Sequence, residues 1–364
     1  MSHVMLFDGL AGGNRSPLHL LRALARQPEN VRFMRMACEA VQAALDHVGA
    51  NVLRETLPYG LPLRRWLSSD TEPPAHEWAN SVVDGVATHV SQLCALAPHR
   101  VDVEPSHHQL QPSLALGYSL GLLSAVVGSL LVTDRRDFLR ASRASITMTT
   151  VLMIRAQQCA PLPVEAATST ISMMALIVGI EPTIIRDASA EYRRAGGAVE
   201  VAIVNSARSL VLAGSPEALG DFRAAHRELL EGHRARWSDL PCTVPFHTSA
   251  LHSLPTMMEA DRSFLEYNFV GSQLRVPVYG GGEPRNLQSN GDLLADCLRA
   301  AVCDPIDWPH TLRTAVGTRP PESILDYGPG VGARVFTRDC LRSMGFRPQF
   351  RKPTRVLDLT VSPA

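Results

Sequence analysis

Short apolar runs ending in glycine alternate with longer stretches of helical period along the chain. Residues 4–7 are continuously apolar and lead into Asp8-Gly9-Leu10-Ala11-Gly12-Gly13-Asn14, the pattern of a buried strand and its following turn. Apolar positions then recur at helical spacing over residues 17–54. A polar, proline-containing connection over residues 64–74 leads to a second helix over residues 77–97. Residues 101–112 are polar and irregular and carry the pair His107-His108. Residues 113–116 predict another buried strand, which runs into Gly117-Tyr118-Ser119-Leu120-Gly121. Residues 122–131 then predict a buried helix rich in small residues, and residues 135–158 a long helix ended by Pro161 and Pro163.

The region over residues 172–243 has its own rhythm. It predicts a strand (173–178), a helix (182–195) with Pro182 in its first turn, and two strands (199–205 and 209–213). An amphipathic helix (216–230) and a last strand (234–243) follow. The order β-α-β-β-α-β is that of a ferredoxin-like unit. Beyond it come the turn Pro245-Phe246-His247-Thr248, helices over 253–268 and 290–301, strands over 275–279 and 324–327, and the tight turn Gly328-Pro329-Gly330-Val331-Gly332. The expected organisation is a core of residues 1–171 and 244–350, an insert of residues 172–243, and a linker over residues 351–364 holding two prolines.

Composition narrows the setting. The 364 residues suffice for a large core and a smaller insert. Lys plus Arg and Asp plus Glu number 35 each, which gives no bulk electrostatic reason to expect nucleic acid or an anionic membrane as partner. Seven scattered cysteines without a CxxC pair suggest neither a zinc site nor a disulfide framework, and they fit a reducing, cytoplasmic environment. The first residues lack a basic region followed by a long apolar run, so no signal peptide is expected. The most apolar stretch, residues 114–132, is broken by glycines, serines and a tyrosine; it reads as strand, turn and helix, not as a membrane span.

Three constellations bear on chemistry. Gly117-Tyr118-Ser119-Leu120-Gly121 is a GxSxG pentapeptide between an apolar strand and an apolar helix. That context puts serine on a sharp turn at a helix N-terminus, where the Leu120 N–H faces a developing oxyanion. The pentapeptide alone is also compatible with a plain structural turn. A serine hydroxyl needs a base, and among 13 histidines His247 is singled out by its turn directly after the inferred insert. The pair His107-His108 invites a metal reading, but adjacent side chains point about 100° apart in a helix and oppositely in a strand. No carboxylate or cysteine cluster accompanies it. Residues 326–332 lack the spacing of a nucleotide loop and read as a turn at a strand end.

These pieces, in this order, resemble the acyltransferase domains of fatty acid and polyketide synthases. The chain looks most like the starter-unit acyltransferase domain at the N-terminus of fungal non-reducing polyketide synthases, enzymes of secondary metabolism. The acetyltransferase domain of the fungal fatty acid synthase β subunit is a more distant match. The resemblance spans about residues 4–350 and is carried by residues 7–14, 117–121, 142–155, 199–217, 245–247, 277–279 and 326–330. It implies an α/β fold: an α/β-hydrolase-like core, with a parallel sheet flanked by helices, and an inserted ferredoxin-like subdomain. It also implies ping-pong transfer from a thioester donor to the phosphopantetheine thiol of an acyl carrier protein, with no bound cofactor. Carried over, Ser119 is the nucleophile, His247 the base, and Leu120 one oxyanion donor, with Leu10 or Ala11 supplying the second. Tyr118, Ser145 and Arg155 are the implied substrate contacts, Arg155 being equally readable as half of an ion pair.

Two departures shape the expected substrate. Many fungal starter-unit domains have cysteine at the nucleophile; this chain has Ser119, as do versions that accept a longer reduced chain from a partner synthase. Malonyl-selective relatives place an arginine on the helix after the nucleophile, where this chain has Ala144 or Ser145, with Arg143 adjacent. A neutral acyl group follows: a medium-length reduced polyketide or fatty acyl chain delivered as acyl-CoA or on the carrier protein of a partner highly reducing synthase, with acetyl as the alternative. The same residues admit a serine hydrolase, with Asp187, Asp221 or Asp239 as triad acid, and a non-catalytic domain that docks carrier protein.

Overall fold

The computed structural model describes residues 3–10, 17–69, 71, 74, 78, 80–101, 112–130, 132, 134–161 and 171–353. Five strands form a wholly parallel sheet: β1 (His3–Phe7), β2 (Pro112–Gly117), β7 (Val278–Gly280), β9 (Ser323–Asp326) and β10 (Gln349–Arg351), in the order β10-β9-β1-β2-β7. Strand β1 is buried at every position, as expected of a parallel strand covered on both faces. Leu6 pairs with Leu116 and with Asp326, so β1, β2 and β9 end level. The turns bearing Asp8, Ser119 and Tyr327 therefore leave the sheet side by side at its carboxyl edge, where open α/β sheets place their sites.

Four helices build the layers behind that edge: α1 (Val31–Val48), α2 (Ser81–Val101), α3 (Gly121–Ser129) and α4 (Arg135–Cys159). Helix α3 is buried at all nine positions and packs on β1 and β2; α4 packs on α1, α2 and α3. A helix enclosed on every side is apolar nearly all round, here with Ser124 and Ser129 as the polar exceptions.

A second sheet has the order β6-β3-β5-β4-β8, from β3 (Met174–Val178), β4 (Val199–Ser206), β5 (Ser209–Gly214), β6 (Arg236–Leu240) and β8 (Ile306–Asp307). Its first four strands are antiparallel, and with α5 (Pro182–Arg194) and α6 (Pro216–Ala225) packed on them they make a ferredoxin-like unit. Period-two alternation divides its strands. Ala175, Ile177, Leu210 and Leu212 face a small core with Ile185 and Phe222, while Met174, Ala202, Val211 and Ala213 join the main core. Strand β8, from well downstream, adds to β4 in parallel.

Several elements differ from the sequence pattern. The helix expected over residues 17–54 is three helices and a 3-10 turn, interrupted by Pro28, which opens that turn, and by Gly49 at φ +88°. The polar connection over residues 64–74 contains a helix, Leu63–Ser68. The strand expected at residues 275–279 is confined to β7. The helix expected over 290–301 is a short one, Leu293–Leu298, followed by a π-helical turn, Arg299–Cys303. Strands β8 and β10 are absent from the pattern's expected strands, and β10 reaches one residue into the expected linker. Residues 354–364 and the pair His107-His108 lie outside the described residues.

Candidate active site

The tight turn after β2 dictates its own sequence. A side chain at Gly117 would lie 2.2 Å from the Leu122 backbone, and one at Gly121 would lie 2.4 Å from the Phe7 carbonyl oxygen. Only glycine allows strand, turn and α3 to approach this closely. Between them Ser119 takes φ +52°, in the left-handed region. Its hydroxyl lies 2.8 Å from His247 Nε2, with the Ala301 carbonyl oxygen at 3.2 Å. Ser119 is 8% exposed and His247 fully buried.

His247 is itself left-handed, at φ +61°, and its backbone N–H donates to the Val302 carbonyl at 2.8 Å. Nδ1 lies 2.8 Å from the Asp304 carbonyl oxygen. A carbonyl can only accept, so Nδ1 carries the proton and Nε2 presents its lone pair to the Ser119 hydroxyl. Burial pushes the imidazole pKa down to about 4, against the opposing pull of Asp304, so the ring is neutral at pH 7. The arrangement is a dyad oriented by main chain. The three acids of the hydrolase alternative lie elsewhere, Asp187 on α5, Asp221 on α6 and Asp239 on β6.

Two of the three expected oxyanion donors lie among the described residues. The Leu120 N–H and the Leu10 N–H donate to no group among the described residues, whereas Gly9 N–H is taken by Asp8 Oδ1 at 2.9 Å. Ala11 lies outside the described residues. Asp8 Oδ1 also accepts from Ala333 N at 3.0 Å, at the start of α9 (Gly332–Ser343), which follows α7 (Leu254–Leu265) and α8 (Trp308–Val316). Burial pushes the Asp8 carboxyl up to about 7, helped by Asp326 and opposed by these two N–H groups.

The three expected substrate contacts are all engaged with protein. Tyr118 donates its hydroxyl to Asn205 Oδ1 at 2.5 Å and meets Trp308 edge-on, which ties the nucleophile turn to β4. Arg155 makes a two-pronged pair with Asp261 on α7, at 2.8 and 3.0 Å, and its third nitrogen reaches Gln158; His47 joins Asp261 at 2.8 Å. Of the two readings of Arg155 this geometry supports the ion pair, because its guanidinium is matched to a buried carboxylate. Ser145 is buried and lies 2.9 Å from His89 Nε2, while Arg143, its near neighbour in sequence, is exposed.

The carbonyls of Ala301, Val302 and Asp304 escaped sequence reasoning because any residue supplies a carbonyl and only the π-helical turn aims these. Asn205 lay inside the motif of residues 199–217 without an assigned role. Among the described residues no group of three or more histidines, cysteines or acids is placed to hold a metal ion, and no helix is long and apolar enough to cross a membrane.

Comparison with known proteins adds a second line of evidence. A family model described as "Starter unit:ACP transacylase in aflatoxin biosynthesis" matches residues 7–247, which include both Ser119 and His247. Among curated proteins, the fatty acid synthase beta subunit TOXC of Cochliobolus carbonum is 24% identical over 330 residues, 80% of this chain and 15% of that protein. The fatty acid synthase subunit beta of Saccharomyces cerevisiae is 23% identical over 308 residues, 74% of this chain and 14% of that protein. The chain thus spans about one seventh of the length of these relatives. The acyl-carrier-protein S-malonyltransferase of Burkholderia pseudomallei superposes with a TM-score of 0.67 at 18% identity, covering 99% of this chain and 100% of that chain. A type II polyketide synthase malonyl-transacylase solved with its acyl-carrier protein gives 0.66 at 18% identity, covering 97% of this chain and 96% of that chain. These likenesses establish a shared fold.

Proposed function

Because the chain belongs to the starter unit:ACP transacylase family and is thereby an acyltransferase acting on acyl carrier protein, we propose that it transfers a neutral starter acyl group through an ester on Ser119. The observation that carries this reading is the 2.8 Å contact between Ser119 Oγ and the unprotonated Nε2 of His247.

In the first half-reaction Ser119 Oγ attacks the thioester carbonyl and its proton passes to His247 Nε2. The oxyanion that forms takes hydrogen bonds from Leu120 N–H and Leu10 N–H. The Asp304 carbonyl, which accepts from Nδ1, stabilises the imidazolium. Collapse of the adduct breaks the carbon–sulfur bond, and the thiolate leaves with the proton from Nε2. In the second half-reaction the phosphopantetheine thiol of the carrier protein gives its proton to Nε2 and attacks the ester. Ser119 then leaves and recovers that proton. Each half-reaction returns the imidazole neutral.

The acyl donor in this reading is an acyl-CoA or a chain on the carrier protein of a partner highly reducing polyketide synthase. Neutrality of the acyl group is supported by the α4 residues behind the nucleophile, where Ser145 is buried and Arg143 turns to solvent. The proposal includes the division into a core of residues 1–171 and 244–350, an insert of residues 172–243, and a linker over residues 351–364. A separate small core within the second sheet supports the insert.

Intact-protein mass spectrometry after incubation with acetyl, hexanoyl, octanoyl and malonyl thioesters tests the reading. A mass gain with neutral acyl groups is expected, absent in Ser119→Ala. A label that survives in Ser119→Ala, or labelling by malonyl alone, would overturn it.

A further inference from the structure

Helices α2, α3 and α4 meet behind the nucleophile through a seam that is polar at its centre. His89 of α2 is buried between Ser124 Oγ on α3, 2.8 Å from Nδ1, and Ser145 Oγ on α4, 2.9 Å from Nε2. Burial pushes this imidazole down to about 3, so it is neutral. A neutral ring has one N–H and one lone pair, so one serine accepts from it and the other donates to it. The accepting serine keeps its own hydroxyl proton, for which no acceptor is present among the described residues.

Three further polar atoms of the seam have no partner among the described residues: Gln92 Oε1 on α2, and Ser142 Oγ and Thr149 Oγ1 on α4. Gln92 is three residues beyond His89, and Ser142 and Thr149 flank Ser145 at −3 and +4, so each lies on the seam's own helix face. All three side chains are at most 1% exposed. Carbonyl oxygens within a helix are available to such hydroxyls: Thr150 bonds Ile146 at 2.8 Å and Ser91 bonds Ala87 at 2.7 Å. Ser142 and Thr149 make no such bond. The seam is also tied to the elements that carry the site. Ser124 follows Ser119 by five residues, and Gln92 Nε2 donates to the Asp8 carbonyl at 2.8 Å, at the foot of the turn that carries Leu10.

Buried hydrogen-bonding groups without partners are costly, and a hydrocarbon chain against this seam would leave every one of them unpaired. We propose that the seam recognises oxygen on the acyl chain: the starter group carries at least one hydroxyl or keto oxygen beyond its thioester carbonyl. The inference rests on the acyl-Ser119 reading above. The relay suits such a chain in two ways. Exchange of the His89 tautomer moves the spare proton from Ser124 to Ser145, so a carbonyl is met from either helix. Gln92 Oε1 supplies the acceptor that a hydroxyl's proton requires.

The test compares pantetheine thioesters of hexanoic, 3-hydroxyhexanoic and 5-oxohexanoic acid on the full chain, with kcat/KM for acylation of Ser119 read by intact mass. At least one oxygenated chain is expected to exceed hexanoyl by about tenfold per hydrogen bond recovered. In Ser145→Ala/Thr149→Val, whose changes keep side-chain bulk in the helices, the ratio of oxygenated to hexanoyl is expected to fall toward one. Equal or better acylation by hexanoyl in the unmodified chain, as when water fills the seam, overturns this inference alone; so does a ratio that the double variant leaves unchanged. No acylation of Ser119 by any thioester would sink the transfer reading and this inference with it.

Discussion

In the proposed transfer His247 acts as a base whose Nδ1 is held by a main-chain carbonyl, not by a carboxylate. In a triad a carboxylate would stabilise the imidazolium and raise its pKa; here the Asp304 carbonyl offsets only part of the cost of burial, and the pKa stays near 4. Only the neutral ring can accept the Ser119 proton, so activity is lost on protonation, as pH falls through that value. The acid limb of kcat/KM for acylation is therefore expected near pH 4, well below the ~6.5 of an unperturbed histidine. Stopped mass-spectrometric acylation from pH 4 to 8, with a donor that does not titrate in that range, measures it. A limb centred at 6.5 would mean that water reaches the ring. His247→Ala is expected to slow acylation by about 10²–10⁴-fold, the usual contribution of a positioned base. The Ser119–His247 pairing that the structure brings together was legible in the sequence, because serine and histidine are chemically distinctive and sit in turns with strict steric demands. The groups that aim them were not: Ala301, Val302 and Asp304 act through backbone oxygens.

Helix α4 is fixed at two places by different chemistry. Toward its middle it meets α2 and α3 through His89. At its C-terminal end Arg155 pairs with Asp261 of α7, and His47 of α1 adds to the same carboxylate while stacking on Phe264 at 3.8 Å. The Arg155 and Asp261 side chains are only 17% and 6% exposed, so removing one partner strands a largely desolvated charge. Asp261→Ala is expected to cost about 3 kcal/mol of unfolding free energy, measured by urea titration. A substrate role for Arg155 would instead raise KM with little loss of stability, so the two readings are separable in one variant. The Tyr118–Asn205 bond is the corresponding tie between the nucleophile turn and β4. Tyr118→Phe leaves Asn205 Oδ1 without its donor and is expected to destabilise by about 1–2 kcal/mol. Sequence pattern reached the elements themselves, since α3, α4 and the β-α-β-β-α-β order follow from apolar period and glycine or proline punctuation. It missed β8 because two residues carry no period, and it overran Gly49 because one glycine barely alters the helical spacing around it. It did not supply the partners of Tyr118 and Arg155, because Asn205 and Asp261 are 87 and 106 positions away.

Across the whole molecule, three buried titrating groups set how stability responds to acid, and they do not all pull the same way. His247 and His89 have folded pKa values near 4 and 3, below the ~6.5 of the unfolded chain. Their burial is free of penalty above pH 6.5 and destabilises as pH falls below it. Asp8 has a folded pKa near 7, above the ~3.8 it returns to on unfolding. Its contribution is fully present below 3.8 and is lost as pH rises toward 7. Between about pH 6 and 4.5 the unfolded chain thus holds protons on two histidines that the folded chain lacks, while the folded chain holds one on Asp8. The balance is one proton more on the unfolded state, so stability falls by about 1.4 kcal/mol for each pH unit of acidification. Asp261 and Asp292, whose pKa values are lowered, extend the loss below pH 4 but do not act in this window. Urea titrations at pH 4.5, 5.3 and 6 are expected to show that slope. Asp8→Asn, which removes the opposing proton, is expected to double it. A profile in which stability instead rises by about 1.4 kcal/mol for each pH unit of acidification, the Asp8 proton alone remaining, would mean that the two imidazoles are hydrated in the folded protein, and would count against the dry base of the proposed transfer.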